Sequence, residues 1–358
     1  MAPAATGGRH RASPPGDHAT REGDPMTDGT LHQQITALAD LVTPMAVRAA
    51  VTLRIADRVG DDGATPAELA RRTGTRPRPL GKLLRHLVSL DILAFDGGRY
   101  RLTELGSALR REDGAPWPFA PLDLDGVTGQ TGLSVIHLLH TLRTGEPVYR
   151  RMFGTDLWSY VDGRGDADDE LRSEALTAPA PDAEVLVEHP CWSAARTFVD
   201  VGGNTGALAE ALLVRHPHLR ATLLDLPVFA RVARRRFAES GLADRAAAVG
   251  RSFFEPLPAG ADVYLLSAVL ADWDDDGAVR LLRNCADAAG RDGAILVSEV
   301  RPVEGPHWPG TAMALWLEAT TADPDRGVED LTALAAEAGL KVTRVDRAPT
   351  RLVLELHA

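Results

Sequence analysis

Only two cysteines, Cys191 and Cys285, occur in 358 residues. They cannot build a disulfide scaffold or a four-thiolate zinc site, and neither belongs to a CxxC pair, so both are expected to be buried or neutral thiols. Basic charge is also short. Lys and Arg number 39 against 50 Asp and Glu, a net charge of −11, which argues against a general affinity for nucleic acid. No unbroken apolar run approaches the roughly 20 residues of a membrane helix, and no apolar segment follows the basic residues of the N-terminus. The expectation is a cytoplasmic protein without a membrane partner. Neither HExxH nor another metal-ligand spacing occurs, so no metal is expected. What is present is a globular composition, 44% hydrophobic and 25% charged, in a chain long enough for two domains.

Composition divides the chain into four parts. Residues 1–28 are rich in Ala, Gly, Pro and charge and carry almost no large apolar anchors; they read as a disordered tail. From residue 29 to 112 the pattern turns helical, with Ile35, Leu38, Leu41, Val42, Met45 and Val47 recurring at three- and four-residue spacing. In "TPAELARRTG", Thr65 is an N-cap, Pro66 suits the first turn and Glu68 completes a capping box, so a helix should run to Gly74. A second helix follows in "RPLGKLLRHLVSLDIL", then two extended runs around Asp96, Gly97 and Gly98, the signature of a hairpin. Helix, turn, helix and β-wing make a winged helix. Arg76, Arg78, Lys82 and Arg85 on this unit could meet phosphates, or be solvated charges on a packing module; an acidic chain with an enzyme-like second half favours the packing module.

Residues 113–196 are mainly helical and form a linker and pocket region. His140, Met152, Phe153 and Trp158 lie here as candidate substrate contacts, because aromatic faces and shaped polar edges suit a flat ligand. His137 and His140 share one helix face without an acidic neighbour in sequence, which gives them a structural rather than a catalytic reading.

The chemistry gathers in residues 197–358. "TFVDVGGNTGALAEALLVRHP" reads as strand, glycine turn and helix. Gly202, Gly203 and Gly206 allow a sharp bend and close approach of a ligand to the helix N-terminus. The second strand, "LRATLLDLP", ends in Asp225, at the distance where an acid reaches ribose hydroxyls in nucleotide-binding βαβ units. Alternation then continues through a helix, a strand near Ala246–Val249, strand "ADVYLLSAVL", helix "DGAVRLLRNCADAAG" and strand "GAILVSEV". This is a Rossmann-like, doubly wound α/β sheet with an adenosine-binding cleft.

The segments "FVDVGGNTG", "LLDLP", "SFFEPLPAGADVYLL", "ADWDDDGAVRLLRNC" and "GAILVSEV" resemble the S-adenosyl-methionine-dependent O-methyltransferases of the caffeate type, in particular their actinobacterial natural-product branch. The resemblance runs from about Leu31 and is strongest over 197–300. It implies a homodimer formed through the winged-helix domain, S-adenosyl-methionine as cofactor and a small secondary metabolite as substrate. By position it implies that Asp200, Gly202, Gly203 and Gly206 approach the methionine end, that Asp225 with Leu226 takes the ribose, that Ser252 and Phe253 flank the adenine, and that Ser267 touches the cofactor. Asn204 stands where the family has a third glycine, and Asn tolerates left-handed backbone.

One departure bears on mechanism. In the family a histidine base precedes the Asp-Trp pair; here Ala271 precedes Asp272 and Trp273, and a methyl group accepts no proton. General-base help is typically worth about 10²–10⁴-fold, and positioning can supply as much. Methyl transfer to oxygen or nitrogen, mainly by proximity, is therefore the expected activity. Glu299, which matches the carboxylate that orients the histidine, and Asp272, expected chiefly as a helix cap, are the candidate catalytic groups, with Trp273 on the substrate side. The alternative keeps the cofactor as a structural or electrostatic element for hydroxylation, decarboxylation, cyclisation or a pericyclic step. A third, weaker alternative is a winged-helix regulator that senses a ligand. The segment after Val300 lacks the Gly-Gly-Arg-Glu-Arg-Thr-like signature of the family, which implies a rebuilt substrate wall.

Overall fold

The structure, a computed structural model, describes residues 30–111, 117–164, 182–300, 310–321 and 325–358. The sequence expectations for 1–28 and for the segment following Val300 up to residue 309 lie outside the described residues. The chain divides into two compact units, one ending at Met45 and one running from Ala46 to Ala358.

In the first unit, Thr30 caps the helix Leu31–Leu38 with a full capping box through Gln33, satisfying amides that a helix N-terminus leaves open. None of this helix's residues is buried. Taken together, Leu31–Thr52 is a 22-residue helical stretch with a mean hydropathy of 1.3, long and apolar enough by length and composition to cross a membrane. The stretch is two helices, Leu31–Leu38 and Val42–Thr52, and it contains no unbroken apolar run of that length. His32, Gln33, Gln34, Thr36 and Thr43 interrupt its apolar residues, and Asp40 and Arg48 are its charges.

The second unit begins with the winged helix. Thr65 Oγ1 accepts from the Glu68 N–H (3.3 Å) and Glu68 accepts in return from the Thr65 N–H (2.7 Å). The helix Pro66–Thr73 ends at Gly74, at φ +67°, where glycine escapes the Cβ penalty of left-handed backbone. The helix Pro77–Ser89 packs Leu80, Leu84 and Leu87 inward with Leu69, Leu93 and Tyr100. Strands β1 (Leu93–Asp96) and β2 (Arg99–Leu102) form the wing through Gly97 and Gly98. Arg76, Arg78, Lys82 and Arg85 are all solvent-exposed.

The large sheet among the described residues has seven strands in the order β5-β4-β3-β6-β7-β9-β8. These are β3 (Thr197–Val201), β4 (Arg220–Asp225), β5 (Ala246–Gly250), β6 (Val263–Ser267), β7 (Ala294–Val300), β8 (Lys341–Ala348) and β9 (Arg351–His357). The first five pair in parallel, β9 adds antiparallel to β7, and β8 adds antiparallel to β9. Near-continuous apolar runs such as Val263–Leu266 follow from burial on both faces. The order reverses between β3 and β6, a switch point where α/β sheets open a crevice at their carboxyl ends.

Candidate active site

A cavity of about 850 Å³ opens at that crevice. On the β3 side, Gly202 lies at φ +75°, and a Cβ there would stand 2.8 Å from Val269 Cγ2. A Cβ on Gly203 would fall 2.5 Å from Asp200 Oδ2 and 2.7 Å from Leu223 Cδ1. Glycine at both positions is thus dictated by space, and at Gly202 also by backbone. Asn204 adopts φ +52°, as its tolerance of left-handed backbone predicts, and its N–H donates to Asp225 Oδ2 at 2.7 Å. Asp225 Oδ1 accepts from the Leu226 N–H, also at 2.7 Å.

Two carboxyls are held under this loop. Burial pushes Asp225 up to about 6 and Asp200 up to about 7, with the Asp225 charge adding to the rise at Asp200. Asp200 Oδ2 is buried without a hydrogen-bond partner. Asp225 lines the cavity; Asp200 lies behind it. A cationic or hydroxyl-bearing ligand would favour the charged form of both.

Beyond β5, Phe253 and Phe254 meet Trp273 edge-on, with ring centroids 5.8 and 4.7 Å apart. Arg280 stacks 4.4 Å over Phe254, and Trp273 Nε1 is buried with its donor unused. These groups and Ser252 line the cavity. An aromatic corner with an unpaired N–H and a hydroxyl suits a flat heterocycle with acceptor atoms. The glycine loop, Asp225 and this corner could together hold an adenosyl cofactor: ribose hydroxyls on Asp225, adenine on the rings, the remainder against Gly202.

The turn after β6 forms the opposite wall. Ser267, Ala268, Val269, Asp272 and Trp273 all line the cavity. Ala268 is held at φ +54°, a strained setting for a residue with a Cβ. Two buried ionisable groups grip the turn. Glu299 Oε1 accepts from the Leu270 N–H (3.2 Å), while Arg326 donates to the carbonyls of Leu270 (2.7 Å) and Trp273 (2.8 Å) and to Asp275 Oδ1. Arg326, which holds this wall of the cavity, goes unmarked in the sequence, since nothing there sets it apart from its neighbouring charges.

Several sequence expectations change here. The residue that caps the helix Asp275–Ala289 is Asp274, whose side chain accepts from the Gly277 N–H at 2.9 Å. Asp272 instead sits in the short turn Leu270–Asp272 and faces the cavity. Because that turn and Trp273 intervene before the helix begins, the cap falls to the first of the three consecutive aspartates that follow. Glu299 is buried and does not line the cavity. From the middle helices, Trp158 reaches the cavity and meets Phe229 edge-on at 6.2 Å. Phe153 packs with Tyr149 and Tyr160, His140 Nδ1 lies 3.3 Å from Arg151, and neither they nor Met152 line the cavity. Gly203 and Gly206 also sit outside its lining, Gly206 against Phe237. Arg150, Asp156 and Asp162 line it, although no motif in the sequence marks them. Among the described residues no cluster of His, Cys, Asp and Glu could hold a metal.

Comparison with known proteins supplies the family. Residues 136–341 match the O-methyltransferase domain and residues 36–112 the O-methyltransferase dimerisation domain. The 2,7-dihydroxy-5-methyl-1-naphthoate 7-O-methyltransferase of Streptomyces carzinostaticus is 43% identical over 87% of this chain and 93% of its own length. Aclacinomycin 10-hydroxylase of Streptomyces purpurascens is 40% identical over 79% and 77%. The crystal structure of an O-methyltransferase from neocarzinostatin biosynthesis, bound to S-adenosyl-L-homocysteine and 1,4-dihydroxy-2-naphthoic acid, is 40% identical and superposes with a TM-score of 0.76 over 92% of this chain and 100% of that one. The dimerisation-domain match begins at residue 36, in the last turn of the unburied helix Leu31–Leu38. This chain is an enzyme of the S-adenosyl-methionine-dependent O-methyltransferase family of secondary metabolism, a homodimer that acts on a small molecule.

Proposed function

We propose that this enzyme methylates a phenolic hydroxyl of a hydroxylated bicyclic aromatic acid of the naphthoate class. The observation that carries this reading is the cavity itself. Its volume of about 850 Å³ falls high in the range of ligand pockets, roughly 300–1,000 Å³, as a cleft for a cofactor and an acceptor side by side requires. Its acceptor half is lined by the rings of Trp158 and Phe229 and by Arg150, Asp156 and Asp162; the rings suit a planar aromatic, and Arg150, held loosely 3.9 Å from Asp156, is the cation that would meet its carboxylate. The relative at 43% identity acts on a dihydroxynaphthoate, and the structural neighbour holds a naphthoic acid.

S-adenosyl-methionine, when bound, supplies an electrophilic methyl carbon on a sulfonium. The protein's part is to bind, orient and exclude water. Gly202 admits the ligand close to the backbone, Asp225 accepts from the ribose hydroxyls, and Ser252 with the Phe253, Phe254 and Trp273 rings takes the adenine. Ala271 carries no proton-accepting group, so proximity supplies most of the acceleration. Asp272 is the favoured proton acceptor, since it faces the cavity; Glu299 is occupied in holding the turn. The enzyme works in the cytoplasm through the dimer of its N-terminal domain.

A second reading, substrate conversion without methyl transfer, draws on the hydroxylase relative and on the inert side chain of Ala271. The test of the acceptor class is turnover on a panel of hydroxynaphthoic acids, hydroxybenzoic acids and uncharged naphthols. Turnover confined to the naphthoic acids supports the proposal; turnover on naphthols alone contradicts it.

A further inference from the structure

Arg351 is among the largest side chains that the fold buries completely, with 1% of its surface exposed. A buried guanidinium is costly unless it is hydrogen-bonded and charge-compensated. Its Nη1 donates to Ser298 Oγ at 2.8 Å and to Ser267 Oγ at 3.1 Å. The charges of Glu299, Asp182 and Glu184 act on it favourably.

Sheet register brings the three side chains together. Ser267 of β6 pairs with Ser298 of β7, and Ser298 pairs with Val353 of β9. Arg351 stands two residues before Val353, and residues two apart on a strand share a face. Ser298 also holds the strained wall of the cavity, because its carbonyl accepts from the Ala268 N–H at 2.7 Å. Ser267 and Ala268 line that cavity, beside the Val269 side chain that abuts Gly202.

A serine hydroxyl has one proton and two lone pairs. Donation from a fixed cation takes up a lone pair of Ser267 Oγ and polarises its O–H, which strengthens it as a donor. We propose that Arg351 is a positioning residue for cofactor binding, which fixes Ser267 as a hydrogen-bond donor into the cavity toward an acceptor atom of S-adenosyl-methionine. The proposal rests on the methyltransferase reading. Arg351 touches no ligand itself and acts through Ser267.

The test is a double-mutant cycle on S-adenosyl-homocysteine affinity, measured by calorimetry on the full-length dimer. Arg351→Lys keeps the charge on a shorter side chain, whose ammonium falls short of the Nη1 position that serves both serines, and Ser267→Ala removes the hydroxyl. Each single variant is expected to weaken binding about five- to tenfold, and the double variant no more than about twofold beyond the weaker single, because both remove one interaction. Losses that multiply, or an Arg351→Lys variant with unchanged affinity, would overturn the proposal. If Arg351→Lys does not fold, Ser267→Cys replaces it: sulfur is a poor acceptor for the guanidinium, and the same loss is expected, whereas unchanged affinity overturns the proposal. Wild-type enzyme that binds no S-adenosyl-homocysteine would overturn the methyltransferase reading and this proposal with it, an outcome distinct from failure of the cycle alone.

Discussion

The carboxyl groups of Asp200 and Asp225 stand at the carboxyl ends of adjacent parallel strands, both buried and both pushed above the ordinary carboxylate range, to about 7 and about 6. Each therefore binds its proton more tightly in the folded chain than in the unfolded one, where Asp titrates near about 3.9. The stability they contribute is full below about pH 4 and is lost as pH rises through about 6 to 7. The melting temperature of the ligand-free enzyme should fall over that window. Asp200→Asn should raise it by several degrees at about pH 8 and change it little at about pH 4.5. Differential scanning fluorimetry across pH checks this, and an Asn effect of equal size at both ends would contradict it.

Gly203→Ala should weaken S-adenosyl-homocysteine binding at least tenfold and destabilise the fold by about 1–3 kcal/mol, the range for overpacking a tight site. The added Cβ would stand 2.5 Å from Asp200 Oδ2. Gly74→Ala makes the contrast. No atom lies within 4 Å of a Cβ there, so only left-handed strain of about 1 kcal/mol is expected, with ligand affinity unchanged. Calorimetry and urea denaturation measure the two quantities.

Arg326→Met should lower stability by on the order of 2–3 kcal/mol, because it strands the carbonyls of Leu270 and Trp273. It should also loosen the turn that carries Asp272, so kcat should fall together with the denaturation midpoint. A variant with normal kcat at reduced stability would separate the turn from the chemistry.

Asp272→Asn and Glu299→Gln are expected to differ in kind. Asp272→Asn should lower kcat by about 10–100-fold at neutral pH and flatten the acidic limb of its pH profile, as loss of a modest proton acceptor does. Glu299→Gln should lower the melting temperature, since it weakens the hold on Leu270, and change kcat less than about tenfold. Steady-state kinetics across pH with thermal melts on both variants distinguish them; the reverse pattern would make Glu299 the proton acceptor.

The glycine loop, Asp225, the capping box at Thr65 and the parallel sheet are legible in the sequence because each depends on local chemistry: backbone freedom, a cap, a run of apolar residues. The antiparallel pair β8–β9 is not, although "RLVLELH" is strand-like: only Pro349 and Thr350 separate its two strands, but its place beside β7 is fixed by pairing far back in the chain. Arg351 and Arg326 likewise look like ordinary surface charges in the sequence; the burial of Arg351 is a property of the assembled sheet, and that of Arg326 comes from its packing on the turn at Leu270–Trp273. The cap lies at Asp274 and not at Asp272 because the aspartates on either side of Trp273 offer the same cap chemistry, and only backbone geometry chooses among them. His140, Met152 and Phe153 suit a pocket by residue type alone, whereas helix phase turns Phe153 toward Tyr149 and Tyr160.

The most direct test of methyl transfer by a cleft lacking a side-chain base at position 271 is the stoichiometry of one turnover. Purified enzyme is incubated with methyl-labelled S-adenosyl-methionine and a hydroxynaphthoic acid, and both products are quantified. One S-adenosyl-homocysteine should form per molecule of product, with the label on the product oxygen. Product formed without S-adenosyl-homocysteine and without label would contradict methyl transfer.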